Sequence, residues 1–544
     1  MTAGPAHVDE VELKAVWQRL PDSDFLAQAY RDVLGREADA AGFAHGLKRL
    51  RLGVHRHDLL SAMVGSQEAL HRLGPEQTAR LARALGRRRH QALANVLRRK
   101  FIRWSGPLGK GPGLVRFTPA AELTASALPD TQASMPLPAP HWPAHRGMAV
   151  MTIAALNYLP QVRLLLNSVA RFHPECTPVL LLVGGRPSTM DPKTLGLDPN
   201  TVVIDATQLN VPSFDDMTVR YDTVELCTGI KPWALLHLLD ACGFDAAIYL
   251  DPDIELHAPM ADAAAVLQQG AAVVVTPHAL APLKPTGLPD DHAILKSGVF
   301  NLGFIGMRRC AESLDFLRWW AQQLLTRCLV AFEQNLFTDQ RWCDLLPCFV
   351  PSLHVLRHPG YNVAYWNLDQ RALQLDTSGQ WRAAGQLLVF FHFSGFDPRA
   401  PEQCSRHQTR LDALTLASAL PLLRAYADSL LAQGWPAPSA FCPYELMPSG
   451  QRVPALLRQF YRQLHLDPVA GSRAQLLQSL LADAFSPEVQ GLPPLLRFLH
   501  RSRADTQSAF DLDTPQGASD FTQWVRCCAL VPLSLQGIAT PEWH

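Results

Sequence analysis

Beyond Met148 the chain alternates short apolar runs with stretches in which apolar residues recur every three or four positions. Ala149 to Ala154 predicts a strand, and Tyr158 to Arg171 has the spacing of a helix. Val179 to Val183 and Val202 to Ile204 continue the strand series, Lys231 to Cys242 predicts a further helix, and Ala246 to Leu250 a further strand. Such alternation builds a mainly parallel, doubly wound sheet. Sheets of that kind take their ligands at the carboxyl ends of the strands.

The flanks have a different texture. Residues 10 to 103 read as short amphipathic helices, with Gly35, Gly42 and Gly53 at the turns. No acidic residue occurs between Thr78 and Ala121, while Arg80, Arg83, Arg87, Arg88, Arg89, Arg98, Arg99, Lys100 and Arg103 accumulate. That basic stretch is either a solvated helix packed on its neighbour or a peripheral contact with anionic membrane, where each surface cation contributes about 1 kcal/mol. Residues 104 to 146 are rich in Pro and Gly and read as a linker, 147 to 430 as the α/β domain, and 431 to 544 as a C-terminal helical region.

Composition narrows the function. Lys+Arg and Asp+Glu balance at 49 each, and no aromatic interleaving accompanies the basic stretch, so nucleic acid is not the expected partner. Eleven cysteines without a C-x-x-C pair suit a reducing compartment. Met1 to Glu10 lacks a signal-peptide pattern, and no run approaches the ~18 apolar residues of a spanning helix. The expectation is a cytoplasmic protein, at most peripheral to the inner face of the membrane.

The candidate chemistry begins at Asp251-Pro252-Asp253, directly after the strand that ends at Tyr249-Leu250. Two carboxylates one residue apart at a strand end can hold a divalent cation against a diphosphate. The competing reading is a solvated turn. Three segments favour the metal. Asn301 is the polar side chain in the apolar run Val299 to Gly306, and a buried amide there needs a partner such as a sugar hydroxyl. Asp339-Gln340 sits at the start of an expected helix, where an N-cap is the plainer explanation. His392 lies inside an apolar strand expected over Val389 to Phe396 and has the chemistry of a third metal ligand.

The ordered set Asp251-Pro252-Asp253, Phe300-Asn301-Leu302-Gly303, Asp339-Gln340 and His392-Phe393-Ser394-Gly395 resembles the retaining GT-A glycosyltransferases of the glycogenin and bacterial lipopolysaccharide galactosyltransferase group. Lys231-Pro232-Trp233, Trp319-Trp320 and His358 to Leu368 are similar to a bacterial polysaccharide-type family. Separately, Ala29 to Gly42 resembles a small helical domain of unknown function found in surface-layer and phycobilisome-linker-like proteins.

The resemblance implies a GT-A catalytic domain, Rossmann-like with a mainly parallel mixed sheet, flanked by helical regions. It implies Mn²⁺ or Mg²⁺ on Asp251, Asp253 and His392, and a nucleoside pocket lined by Thr152, Ala154, Asn157 and Tyr158. Lys231 would contact nucleotide or diphosphate, Asn301 the donor sugar, and Asp339 and Gln340 its reactive face. Gly395 would let backbone approach the diphosphate. Where that group continues with a lysine, this chain has Asp397-Pro398-Arg399, and Arg399 is the cation on offer.

The implied reaction moves a sugar from a nucleotide donor, UDP-linked in the resemblance, to a glycan, lipid-linked or protein hydroxyl in bacterial envelope assembly. Retention needs no enzymic base, with Gln340 beside the developing cation; inversion would make Asp339 the base. The alternative in another class is a non-catalytic scaffold on a transferase fold. A nucleotide-sugar pyrophosphorylase fits less well, because Thr152 to Leu159 contains no glycine for a phosphate loop.

Overall fold

The computed structural model describes residues 22–34, 36, 63, 147–436, 442–486, 492–529 and 533–535. The basic stretch with its membrane reading, and the Pro/Gly-rich linker, lie outside these residues. The chain forms two compact units, Met1–Pro112 and Gly113–His544. In the first, helix α1 (Asp22–Ala29) continues through a wider turn to Leu34 and buries Phe25, Leu26, Ala29 and Val33, one stripe at helical spacing.

The second unit is built on a seven-stranded sheet. In chain order its first half runs β1 (Met148–Ala154), α2 (Leu159–Phe172), β2 (Thr177–Leu182), β3 (Val202–Asp205), α3 (Phe214–Arg220), α4 (Thr223–Gly229), α5 (Lys231–Leu236) and β4 (Ala246–Leu250). The second half adds β5 (Ile254–Leu256), α6 (Ala261–Gln268), β6 (Val273–Pro277), α7 (Asp291–Ser297), β7 (Phe300–Arg308), α8 (Ala311–Gln323), β8 (Leu353–Val355) and β9 (Phe390–His392). The strand order across the sheet is β8-β6-β7-β4-β1-β2-β3. Neighbours are parallel except β7, which runs antiparallel to both β4 and β6. This is the mixed, mainly parallel α/β sheet expected from the sequence.

Residue parity explains why both faces are covered. Ala149, Met151 and Ile153 of β1 pack with Tyr249, Val275 and Ile305 against Ala234, Leu235 and Trp320 of α5 and α8. The alternate residues Val150, Ile248, Leu250, Val274 and Phe304 pack against Leu165 and Val169 of α2 and Leu267 of α6. A strand buried on both faces must be apolar at successive positions, as these are.

Past β4 the chain turns into β5, which pairs antiparallel with β9; His392 stands opposite Ile254. Strand β9 has three residues where the apolar run predicted eight, because the backbone turns away at Ser394-Gly395. The helix expected at Asp339-Gln340 is a 3₁₀ turn over Gln340–Leu345 followed by a short α segment, Leu346–Phe349, and Asp339 makes no capping bond. Then come α9 (Ala413–Ala432), α10 (Ala455–Leu464), α11 (Arg473–Phe485), α12 (Pro494–Arg501) and, after a shorter helix, α13 (Pro515–Trp524). Helices α10 to α13 share an apolar cluster that includes Val219 of α3. Among the described residues no helix is long and apolar enough to cross a membrane.

Candidate active site

Two backbone bonds shape the turn after β4. Asp251 N donates to Gly303 O of β7 at 2.8 Å, and Ile254 N donates to Asp251 O at 3.1 Å. The turn presents both carboxylates to β9, where His392 Nε2 lies 3.1 Å from Asp253 Oδ1 and 3.6 Å from Asp251 Oδ2. One ligand atom from each of the three side chains falls within 4.8 Å of the others. Burial raises the Asp251 carboxyl above its usual range, with the charge of Asp253 adding to the effect and Lys231 and His392 opposing it. Two carboxylates and an imidazole gathered on one point, one carboxylate of them costly to ionise, fit a divalent cation that accepts oxygen and nitrogen donors.

A second cluster, His173, Glu175 and Cys176, has similar spacing and fails the same test. His173 Nε2 accepts the Met260 N–H at 2.7 Å, so Nδ1 carries the ring proton and gives it to Glu175 Oε1 at 2.8 Å. No imidazole lone pair is left for a metal.

Behind Asp251 runs a chain of charged contacts. The Tyr249 hydroxyl donates to Asp251 Oδ1 at 2.6 Å, and Lys231 Nζ stands 4.1 Å from the centre of the Tyr249 ring. The same ammonium pairs with Asp339 Oδ2 at 2.7 Å and donates to Leu302 O at 2.9 Å. Burial works against the Lys231 charge, but Asp339 and Asp251 outweigh it and raise its pKa. Lys231, expected on the nucleotide, has its buried ammonium paired with Asp339, 108 positions along the chain. Gln340 is also engaged: Oε1 accepts Leu302 N at 2.9 Å and Nε2 donates to Ser297 O at 2.8 Å, tying β7 to α7.

A buried amide network lies under Asp251, Asp253 and His392. Asn301 Oδ1 accepts Gly303 N and Asn362 Nδ2, both at 3.0 Å, and its Nδ2 meets His278 Nε2 at 3.2 Å. Asn362 Nδ2 also reaches Thr276 Oγ1 at 2.9 Å, and its Oδ1 meets His392 Nδ1 at 3.2 Å. A Cβ on Gly303 would stand 2.4 Å from the His392 ring, so the glycine of Phe300-Asn301-Leu302-Gly303 makes room for the imidazole. Gly303 and Asn362 lie in motifs read from the sequence, but neither was given a role there. The signal available was Asn362 within the His358 to Leu368 motif.

The nucleoside-pocket residues separate. Ala154 packs among Val162, Leu166, Leu180 and Leu182, a core position. Thr152 is buried in β1, while Asn157 and Tyr158 lie half-buried in the turn beyond its carboxyl end. Among the described residues, Thr152 Oγ1, Asn157 Oδ1 and Gln161 Oε1 are buried without a hydrogen-bond partner. Gly395 has φ +71°, and a Cβ there would meet the His407 ring at 2.3 Å; the protein's own histidine explains this glycine. Arg399 is spent on Asp397 at 2.8 Å.

Residues 10–73 match a family described as a domain of unknown function (DUF4214). Among curated proteins the chain is similar to the uncharacterized protein YfnD of Bacillus subtilis (strain 168), at 27% identity over 176 residues, 32% of this chain and 54% of YfnD. It therefore spans about half the length of that relative. Among solved structures it is similar to galactosyltransferase LgtC in complex with donor and acceptor sugar analogs, at 15% identity, 52% of this chain, 96% of that one and TM-score 0.32. It is also similar to mouse xyloside xylosyltransferase 1, apo form (14%, 46% and 98%, TM-score 0.30), and to glycosyltransferase GlyE of Streptococcus pneumoniae TIGR4 (15%, 53% and 63%, TM-score 0.32).

Proposed function

We propose that this chain transfers a sugar from a nucleotide donor to a hydroxyl acceptor, with a divalent cation held by Asp251, Asp253 and His392. The observation that carries the reading is the convergence of those three ligand atoms at the carboxyl end of β4. Mn²⁺ or Mg²⁺ there would supply a Lewis acid for the donor's diphosphate as the glycosidic bond breaks.

The chain's own residues bind and orient. Asn157 and Tyr158, with buried Thr152 behind them and Ala154 as the apolar floor, take the nucleoside. The unpartnered oxygens of Thr152, Asn157 and Gln161 support this, since buried polar atoms need partners and a nucleoside carries donors. Asn301 and Gln340 border the donor sugar. Asn301 keeps an Nδ2 hydrogen, and Gln340 an Oε1 lone pair and an Nε2 hydrogen, beyond those the fold uses. Lys231 acts through Asp339 and Tyr249, linking the sugar side to the metal ligand Asp251. Gly395 turns the backbone back after His392, beside the diphosphate.

Retention of configuration is the stereochemistry we favour. Asp339 gives Oδ2 to Lys231 and receives the Thr338 hydroxyl on Oδ1 at 3.1 Å, a poor state for a general base. The leaving phosphate then takes the acceptor proton. A UDP-linked donor and a glycan, lipid-linked or protein acceptor in bacterial envelope assembly follow from family resemblance. The test is nucleotide release from a panel of UDP-sugars with Mn²⁺, followed by NMR of the product anomer. Turnover lost in Asp253→Ala is expected; no release with any donor favours the scaffold reading, and an inverted product removes Gln340 from its role.

A further inference from the structure

We propose that Asn362 is a positioning residue that fixes the His392 tautomer, so that Nε2 faces Asp251 and Asp253 with its lone pair free. The inference rests on the metal reading of that trio and adds a residue to which no role has been attached.

Amide orientation is normally ambiguous, because oxygen and nitrogen look alike. Here a backbone group resolves it. Gly303 N can only donate, so the Asn301 atom it meets at 3.0 Å is the oxygen. The Asn362 atom that meets this same oxygen at 3.0 Å is therefore the Nδ2 donor, which also has Thr276 Oγ1 at 2.9 Å. That leaves Asn362 Oδ1 facing His392 Nδ1 at 3.2 Å. An amide oxygen only accepts, so Nδ1 carries a hydrogen in either protonation state, and in the neutral ring Nε2, 3.1 Å from Asp253 Oδ1, presents the lone pair. The chain of inference runs from a main-chain N–H of β7 through two side-chain amides to the imidazole.

The amide cannot easily turn. Asn362 is fully buried, with φ +54°, a left-handed conformation that asparagine tolerates better than most residues. Its carbonyl is held by Asn367 Nδ2 at 3.0 Å and Arg371 Nη1 at 3.4 Å. The imidazole is confined in turn by Gly303 on one side and by the Trp366 ring, edge-on at 5.2 Å. Residues that orient a ligating histidine typically govern metal affinity by 10–100-fold, as a rough range.

Asn362→Gly removes the amide while suiting the left-handed backbone. We expect Mn²⁺ affinity, followed by electron paramagnetic resonance, to weaken by about 10–100-fold. Ring ¹⁵N NMR at pH about 9 should give the Nδ1–H tautomer for metal-free wild type. The resonance is assigned by its loss in His392→Gln, and Asn362→Gly should give a mixture of tautomers. An Nε2–H tautomer in wild type, or unchanged Mn²⁺ affinity in folded Asn362→Gly, overturns the proposal. If Asn362→Gly does not fold, the wild-type tautomer still decides. Wild type that binds no Mn²⁺ while showing Nδ1–H would sink the metal reading and leave the positioning intact.

Discussion

Two buried polar assemblies in this molecule look alike in composition and differ in what they converge on. One joins α3 and α4 to the C-terminal helix α10. Arg220 grips Asp216 through Nε at 2.9 Å and Nη2 at 3.1 Å, and the Tyr461 hydroxyl gives a third bond to Asp216 at 2.6 Å. Arg458 Nη1 donates to the carbonyls of Thr218 at 3.0 Å, Val219 at 2.8 Å and also Tyr221, while Nη2 reaches Tyr444 O at 2.9 Å. Arg462 closes the seam on Glu225. Its cations have matched acceptors inside the protein, the condition under which buried charge is tolerated. At the end of β4, by contrast, two carboxylates and an imidazole nitrogen meet at one point. A network closed on itself holds helices together, whereas one aimed at a common point has the chemistry of a site.

The contrast breaks if the two regions respond alike to truncation. Asp253→Ala should reduce turnover by roughly 10⁴-fold, about 5 kcal/mol of lost metal assistance, with little loss of stability because a like charge leaves Asp251. Steady-state nucleotide release and a thermal melt on the same sample check both halves. Arg458→Met should do the reverse. It strips donors from four carbonyls and should cost about 3–5 kcal/mol in denaturant unfolding, with turnover per folded molecule nearly intact. Gly303→Ala sharpens the picture from within the site. Its new methyl must displace the His392 ring, and Mn²⁺ affinity should fall by about 10–100-fold while the β4–β7 pairing survives.

A further expected effect concerns pH. Burial lowers His278 to about 4, so the folded protein holds it neutral where an unfolded chain would bind a proton. The sign follows from linkage: its contribution is present above the ordinary imidazole pKa of about 6.5 and is lost as pH falls from there towards 4. Unfolding free energies of wild type and His278→Gln should converge over that window, by at most about 3 kcal/mol. Parallel curves would contradict the assignment of a buried neutral imidazole.

Much of the sheet was legible because strands buried on both faces leave continuous apolar runs. Ala246 to Leu250 is a strand with the bounds its pattern predicts, and Leu159–Phe172 is a helix within one residue of its expected span. The antiparallel sense of β7 was not legible, since an apolar run carries no direction. Nor was the length of β9, because the turn at Gly395 interrupts a run that stays apolar to Phe396. In the site, ligand types stood out because carboxylates and a histidine are conspicuous in apolar surroundings. Their supports did not: Lys231 meets Asp339, and Asn362 meets His392, through contacts that only the closed sheet creates.

The most direct measurement is calorimetric titration of UDP into the protein with Mn²⁺ and again with chelator. Asp251, Asp253 and His392 are taken to hold a cation that in turn holds the diphosphate. UDP binding should therefore depend on Mn²⁺ and disappear in Asp251→Ala, Asp253→Ala and His392→Ala. Equal UDP affinity in chelator, or binding that survives all three substitutions, would contradict it.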